Sequence, residues 1–153
     1  MTLALALLLA CDPTPAPANP WAEAAALDTR APVPLTPKMA EHQKANMRDH
    51  LLAVQQIVAG LATEDWTAIE QAASRLGSSP QSAMMCEHMG ADAPGFTERG
   101  LAFHATADGI GLAARARDRA AALTALGHTL AACTACHDAY RQQLVSGPGH
   151  TAH

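Results

Sequence analysis

Apolar residues recur at three- and four-residue steps in four stretches of this chain, and each stretch is bounded by residues suited to a helix end. The first opens on Thr36 as N-cap with Pro37 at the first helical position and runs to about Ala62. Its stripe is Met47, Leu51, Val54, Val58 and Leu61, widened by His50 and Ile57. The second runs from about Asp65 to Leu76 on Trp66, Ile69, Ala73 and Leu76, and Gly77-Ser78-Ser79-Pro80 stops it. The third runs from about Thr97 to Ala116, with Phe96, Phe103, Ala107, Ile110 and Ala114 inward. The fourth has the clearest seam: Leu123, Leu126, Leu130, Cys133, His137, Tyr140 and Leu144. Asp118 stands near its start, and Gly147-Pro148 ends it. Residues 82–95 lack a clean period and contain Gly90 and Pro94, which reads as a connecting loop. There is no internal repeat and no strand pattern. Four helices with mostly short connections predict an all-α fold, an antiparallel four-helix bundle over residues 37–146.

The chain outside that unit is patterned differently. Residues 1–10 are almost wholly apolar but too few to span a bilayer, so they read as a signal segment, although without a basic n-region. Leu8-Leu9-Ala10-Cys11 resembles the bacterial lipobox, which makes Cys11 the lipidated residue and predicts an exported lipoprotein on the periplasmic face of a membrane. Asp12 resembles a signal for retention at the inner membrane. Residues 12–37 hold seven prolines and no apolar period; they read as an extended linker that contributes nothing to a core. Residues 147–153 read as a frayed tail.

Composition narrows the chemistry. The chain is 49% hydrophobic yet only 3% aromatic, and alanine is abundant, which favours helices packed through small side chains. A flat prosthetic group would supply the apolar mass that aromatics otherwise provide, and Gly109 and Gly111 would permit its close approach. The formal net charge of −4 is modest and there is no basic stripe, so nucleic acid is not an expected partner.

The most specific signal is Cys133-Thr134-Ala135-Cys136-His137, the C-x-x-C-H pattern of covalent haem c attachment. Thiols at i and i+3 each form a thioether to a haem vinyl group, and the next histidine offers an imidazole nitrogen to the iron. Covalent attachment is itself an export-side process in bacteria, which agrees with the N-terminal reading. Cysteine use then falls out as lipid on Cys11, one haem per chain on Cys133 and Cys136, and Cys86 left over, either buried and inert or paired with another chain.

Only sixteen residues follow His137 and none is methionine, so a second protein ligand must lie upstream. A motif this close to the C-terminus resembles the cytochrome c′ and cytochrome c-556 group, in which the haem sits on the last helix of a four-helix bundle. The resemblance rests on Cys133 to His137 followed by Asp138-Ala139-Tyr140-Arg141, and on Met47-Arg48-Asp49-His50-Leu51 and Ile57-Val58-Ala59-Gly60 in the first helix. It implies that the first helix covers the distal face of the haem, through a ligating methionine in one type and a blocking apolar residue in the other. Here that helix offers Met47 and His50 on one face. His50 is favoured by chemistry, because an imidazole on an apolar stripe needs a partner; Met47 is favoured by the resemblance. An iron with neither is the third alternative.

The expected function is electron transfer to redox partner proteins, with His137 proximal and His50 or Met47 distal. The alternative is a five-coordinate protein that binds NO or CO. An enzyme is not expected, since a peroxidase needs an open site with a base and a charge-stabilising donor that His50 and Arg48 imitate only loosely. The resemblance also allows a homodimer through the first two helices. Arg115, Arg117 and Arg119, or Lys44 and Arg48, are candidate partners for the haem propionates, against a plain reading as solvated charges. His104 reads as a partly exposed helix histidine, and His42 as solvated. Met84, Met85, Cys86, His88 and Met89 form a soft cluster without the spacing of a metal site.

Overall fold

The computed structural model describes residues 27–146. The signal segment, Cys11 and most of the proline-rich stretch lie outside the described residues, as does the tail from 147.

The elements run β1 (Ala31–Leu35), α1 (Pro37–Thr63), α2 (Trp66–Leu76), α3 (Pro80–Gly90), α4 (Phe96–Arg115), α5 (Arg119–Ala139) and β2 (Tyr140–Leu144). The fold is an all-α bundle with a small ribbon at one end. Helix starts follow side-chain caps: Thr36 accepts from the Met39 N–H, Asp65 from Ala68, and Asp118 from Ala121. The α1–α2 turn is tight because Glu64 takes a left-handed conformation and Gly60 lets α2 approach. A Cβ on Gly60 would lie 2.7 Å from Ile69 Cγ1.

The main core is built from α1, α2, α4 and α5 around Ile57, Leu61, Ile69, Leu76, Phe103, Ile110 and Leu126, interleaved with alanines. Helix α1 packs on α2, α2 on α4, and α4 on α5, while α3 lies on α4. Helices α1 and α5 scarcely touch. Gly109 and Gly111 sit in helix contacts, against Ala125 and Ala73, so they ease helix packing rather than the approach of a ligand.

The structure departs from the sequence reading in four places. Residues 80–90 form a helix, not a loop, because Ser79 and Ser82 cap it reciprocally and Pro80 starts it. The proline-rich stretch is not wholly linker: β1 pairs in parallel with β2, with Ala31 opposite Tyr140 and Leu35 opposite Leu144. Pro32 and Pro34 are tolerated because they fall on the alternate positions whose backbone faces away from β2. Val33 and Leu35 are buried with Ala40, Met89 and Ala93 in a second core. The last helix stops at Ala139, so Tyr140 and Leu144 belong to a strand rather than to its seam.

The fourth departure is rotational. On α1, Met47, Leu51 and Val58 are exposed; of the expected stripe Ile57 and Leu61 are buried, and Ala53 and Gly60 join them. On α5, Leu123 and Leu130 are exposed, while Ala122, Leu126 and Thr129 are buried. Alanines and leucines make α5 apolar on most sides, and α1 carries apolar side chains on several sides between Leu51 and Ala62, so tertiary packing selects the inner face.

Candidate cofactor site

The gap between α1 and α5 is a cavity of about 420 Å³. Met47, Asp49 and His50 line it from α1, Ser74 and Arg75 from α2, and Met85, Cys86 and Met89 from α3. Phe96, Arg99, Gly100, Phe103 and His104 line it from α4, and Ala132, Cys133, Cys136 and His137 from α5. The five residues that the sequence singles out for a haem (Met47, His50, Cys133, Cys136 and His137) therefore share one cavity, although they come from the two helices that otherwise avoid each other.

Helix geometry explains the α5 wall. Residues 129, 132, 133 and 136 follow one another on one side of the helix, so both thiols of the C-x-x-C spacing turn to the same space. Cys133 and Cys136 are half-buried and free. Burial pushes both thiols above the ordinary range; the nearby Cys136 adds to this for Cys133, while Arg99 pulls Cys136 the other way. His137 is exposed at the rim, in the last turn of α5. Its carbonyl accepts a hydrogen bond from the Arg30 guanidinium at 3.2 Å, and Arg30 is itself held by Asp28. The segment leading into β1 is thus tied to the end of α5.

The facing wall is aromatic and histidine-rich. His50 stacks on Phe103, with ring centroids 5.2 Å apart, and meets His104 edge-on at 6.0 Å. Burial lowers the pKa of His50, His104 and Arg75 lower it further, and Asp49 opposes them. His50 is therefore neutral near pH 7, with a nitrogen lone pair available. Met47 also borders the cavity but is 39% exposed.

Two cations edge the site, and neither belongs to the clusters picked out from sequence. Arg75 is committed to Asp49 and Gln56. Arg99 has no carboxylate partner among the described residues and lies 6.0 Å from the centre of the Tyr140 ring. By contrast, Arg115 pairs with Glu70, Arg119 approaches Glu64, and Lys44 pairs with Glu41, none of them lining the cavity. Of the soft cluster, Met85, Cys86 and Met89 line the cavity, while Met84 and His88 are exposed. Cys86 packs towards Gly100, where a Cβ would lie 2.7 Å from its Sγ.

His104 is buried rather than partly exposed, and its Nδ1 lies 2.7 Å from the Leu76 carbonyl. The signal available in sequence was its position next to Phe103 and one turn before Ala107, both of which pack inward.

Among the described residues, no group of three or more His, Cys, Asp or Glu is arranged to hold a bare metal ion. The donor set suits a group that brings most of its own ligands: two thiols on one wall, an imidazole beside them, and opposite them a wall of Phe103 with His50 and His104. A planar, anionic-edged cofactor such as haem fits that set, with Cys133 and Cys136 as anchors and Arg99 beside the rim. Compared with known protein families, curated proteins and solved structures, the chain shows no match.

Proposed function

We propose that the protein is a monohaem c-type cytochrome that carries electrons, with the haem seated between α1 and α5. The observation that carries this reading is the convergence of Cys133, Cys136, His137, His50 and Met47 on one cavity. Bound there, the haem supplies a one-electron ferric–ferrous couple. Cys133 and Cys136 hold it through thioether bonds, which prevents its loss outside the cytoplasm. His137, exposed at the cavity rim, would offer an imidazole nitrogen to the iron. Phe103, Met85 and Met89 keep water from the inner side, and Arg99 offers its charge to a carboxylate at the edge. Axial ligand choice tunes the potential, since methionine raises it and a second histidine lowers it. In the same reading, lipid on Cys11 tethers the domain to the periplasmic face of a membrane, within reach of redox partners.

The test is expression of the full chain in a host able to attach haem c, followed by denaturing electrophoresis and absorption spectra. The expected result is haem that stays with the chain after denaturation, lost in a Cys133→Ala, Cys136→Ala double variant. A chain that never acquires covalent haem under these conditions overturns the reading. A ferrous spectrum that shifts on CO addition would favour the gas-binding alternative over a closed electron carrier.

A further inference from the structure

His104 is held in the manner of a metal-binding histidine. A carbonyl oxygen only accepts hydrogen bonds, so Nδ1, 2.7 Å from the Leu76 oxygen, carries the ring's hydrogen. The other nitrogen, Nε2, is then a lone-pair acceptor. It has no hydrogen-bond partner among the described residues, and the ring borders the cavity. An imidazole whose first N–H is anchored on a backbone carbonyl, with its second nitrogen facing open space, has its tautomer and direction set before any metal arrives.

Helix capping accounts for only half of this arrangement. Leu76 is the last residue of α2, where carbonyls lack helical partners, and His104 satisfies one of them. That role uses Nδ1–H alone. It leaves Nε2 without a protein partner among the described residues and reached from the cavity, where an incoming ligand would meet it. The two α1 candidates are less well prepared. His50 lies stacked on Phe103 with no hydrogen bond among the described residues to fix either nitrogen, and Met47 is partly turned to solvent.

We propose that His104, through Nε2, is the distal ligand of the iron, opposite His137. This rests on the haem reading above. The bond is a donation of the Nε2 lone pair to iron; Nδ1 keeps its hydrogen on Leu76, so no proton and no electron moves. His50 then serves as a neutral neighbour that shields the ligand from water.

The test compares the ferric holoprotein with His104→Ala, His104→Asn, His50→Ala and Met47→Ala by absorption and electron paramagnetic resonance. His104→Asn retains an N–H donor for the Leu76 carbonyl and so separates ligation from capping. Wild type should be low-spin with two histidine ligands. His104→Ala and His104→Asn should become high-spin and bind CO when reduced, and added imidazole should restore the low-spin signal in His104→Ala. His50→Ala and Met47→Ala should stay low-spin. A wild-type signal that is high-spin, or of histidine–methionine type, overturns the assignment, as does high-spin conversion by His50→Ala alone. Those results all require covalent haem, so they are distinct from failure of the haem reading, in which no variant and no wild type carries it.

Discussion

Leu35 and Leu51 exchange the roles that their sequence surroundings suggest, and substituting each tests the packing directly. Leu35 lies in a proline-rich stretch but is 0% exposed, at the end of β1 in the core it shares with Ala40, Met89 and Ala93. Leu51 lies on a helical apolar stripe but is 70% exposed. Leu35→Ala removes three carbons from a closed site, worth about 2.4 kcal/mol at roughly 0.8 kcal/mol per buried methylene. The cavity left behind raises the expected loss to about 3 kcal/mol, within the usual range of about 2–5 for such truncations. At roughly 4 °C per kcal/mol for a domain of this size, Tm should fall by about 12 °C. Leu51→Ala removes mostly solvated surface and places a better helix former, so its cost should stay below about 0.5 kcal/mol. Urea and thermal unfolding, followed by circular dichroism at equal haem loading, give both numbers. A Leu35→Ala loss no larger than that of Leu51→Ala would refute the burial of β1. Because β2 continues directly from the C-x-x-C-H helix, Leu35→Ala should also loosen the chain around His137, read as faster amide exchange over residues 137–144.

Three further outcomes follow from other contacts. In haem-free protein, burial raises the pKa of Cys86, Cys133 and Cys136, so at pH 8 their thiolate fraction lies below that of an ordinary cysteine. Iodoacetamide should therefore label the folded chain more slowly than the urea-unfolded chain, with the gap narrowing above pH 9; equal rates at pH 8 would contradict the burial. Gly60→Ala should destabilise by about 1–3 kcal/mol because its Cβ would meet Ile69 at 2.7 Å, whereas Gly127→Ala, with nothing within 4 Å, should stabilise α5 by about 0.5–1 kcal/mol in urea titrations. Asp118→Ala should cost about 1 kcal/mol through loss of the α5 cap on Ala121, and Asp118→Asn should recover most of it.

The helix starts were legible because caps are local: Thr36, Asp65 and Asp118 each accept from the backbone N–H three residues on. The C-x-x-C-H wall was legible for the same reason, since spacing along one helix decides which side chains share a side. The helix at 80–90 is obscured in the sequence by Gly90 and Pro94 and by the lack of an apolar period, although the Ser79–Ser82 box that starts it is equally local. By itself, then, the sequence determined the helical class, most helix boundaries and the placing of Cys133, Cys136 and His137 near the end of the last helix. Tertiary structure alone decided which faces of α1 and α5 turn inward, because α5 and the second half of α1 are apolar on too many sides for periodicity to choose. It also decided the pairing of β1 with β2 and the meeting of the His104 ring with the Leu76 carbonyl, 28 residues apart. Such contacts join segments distant in sequence, and they form only once the packed helices have carried those segments together.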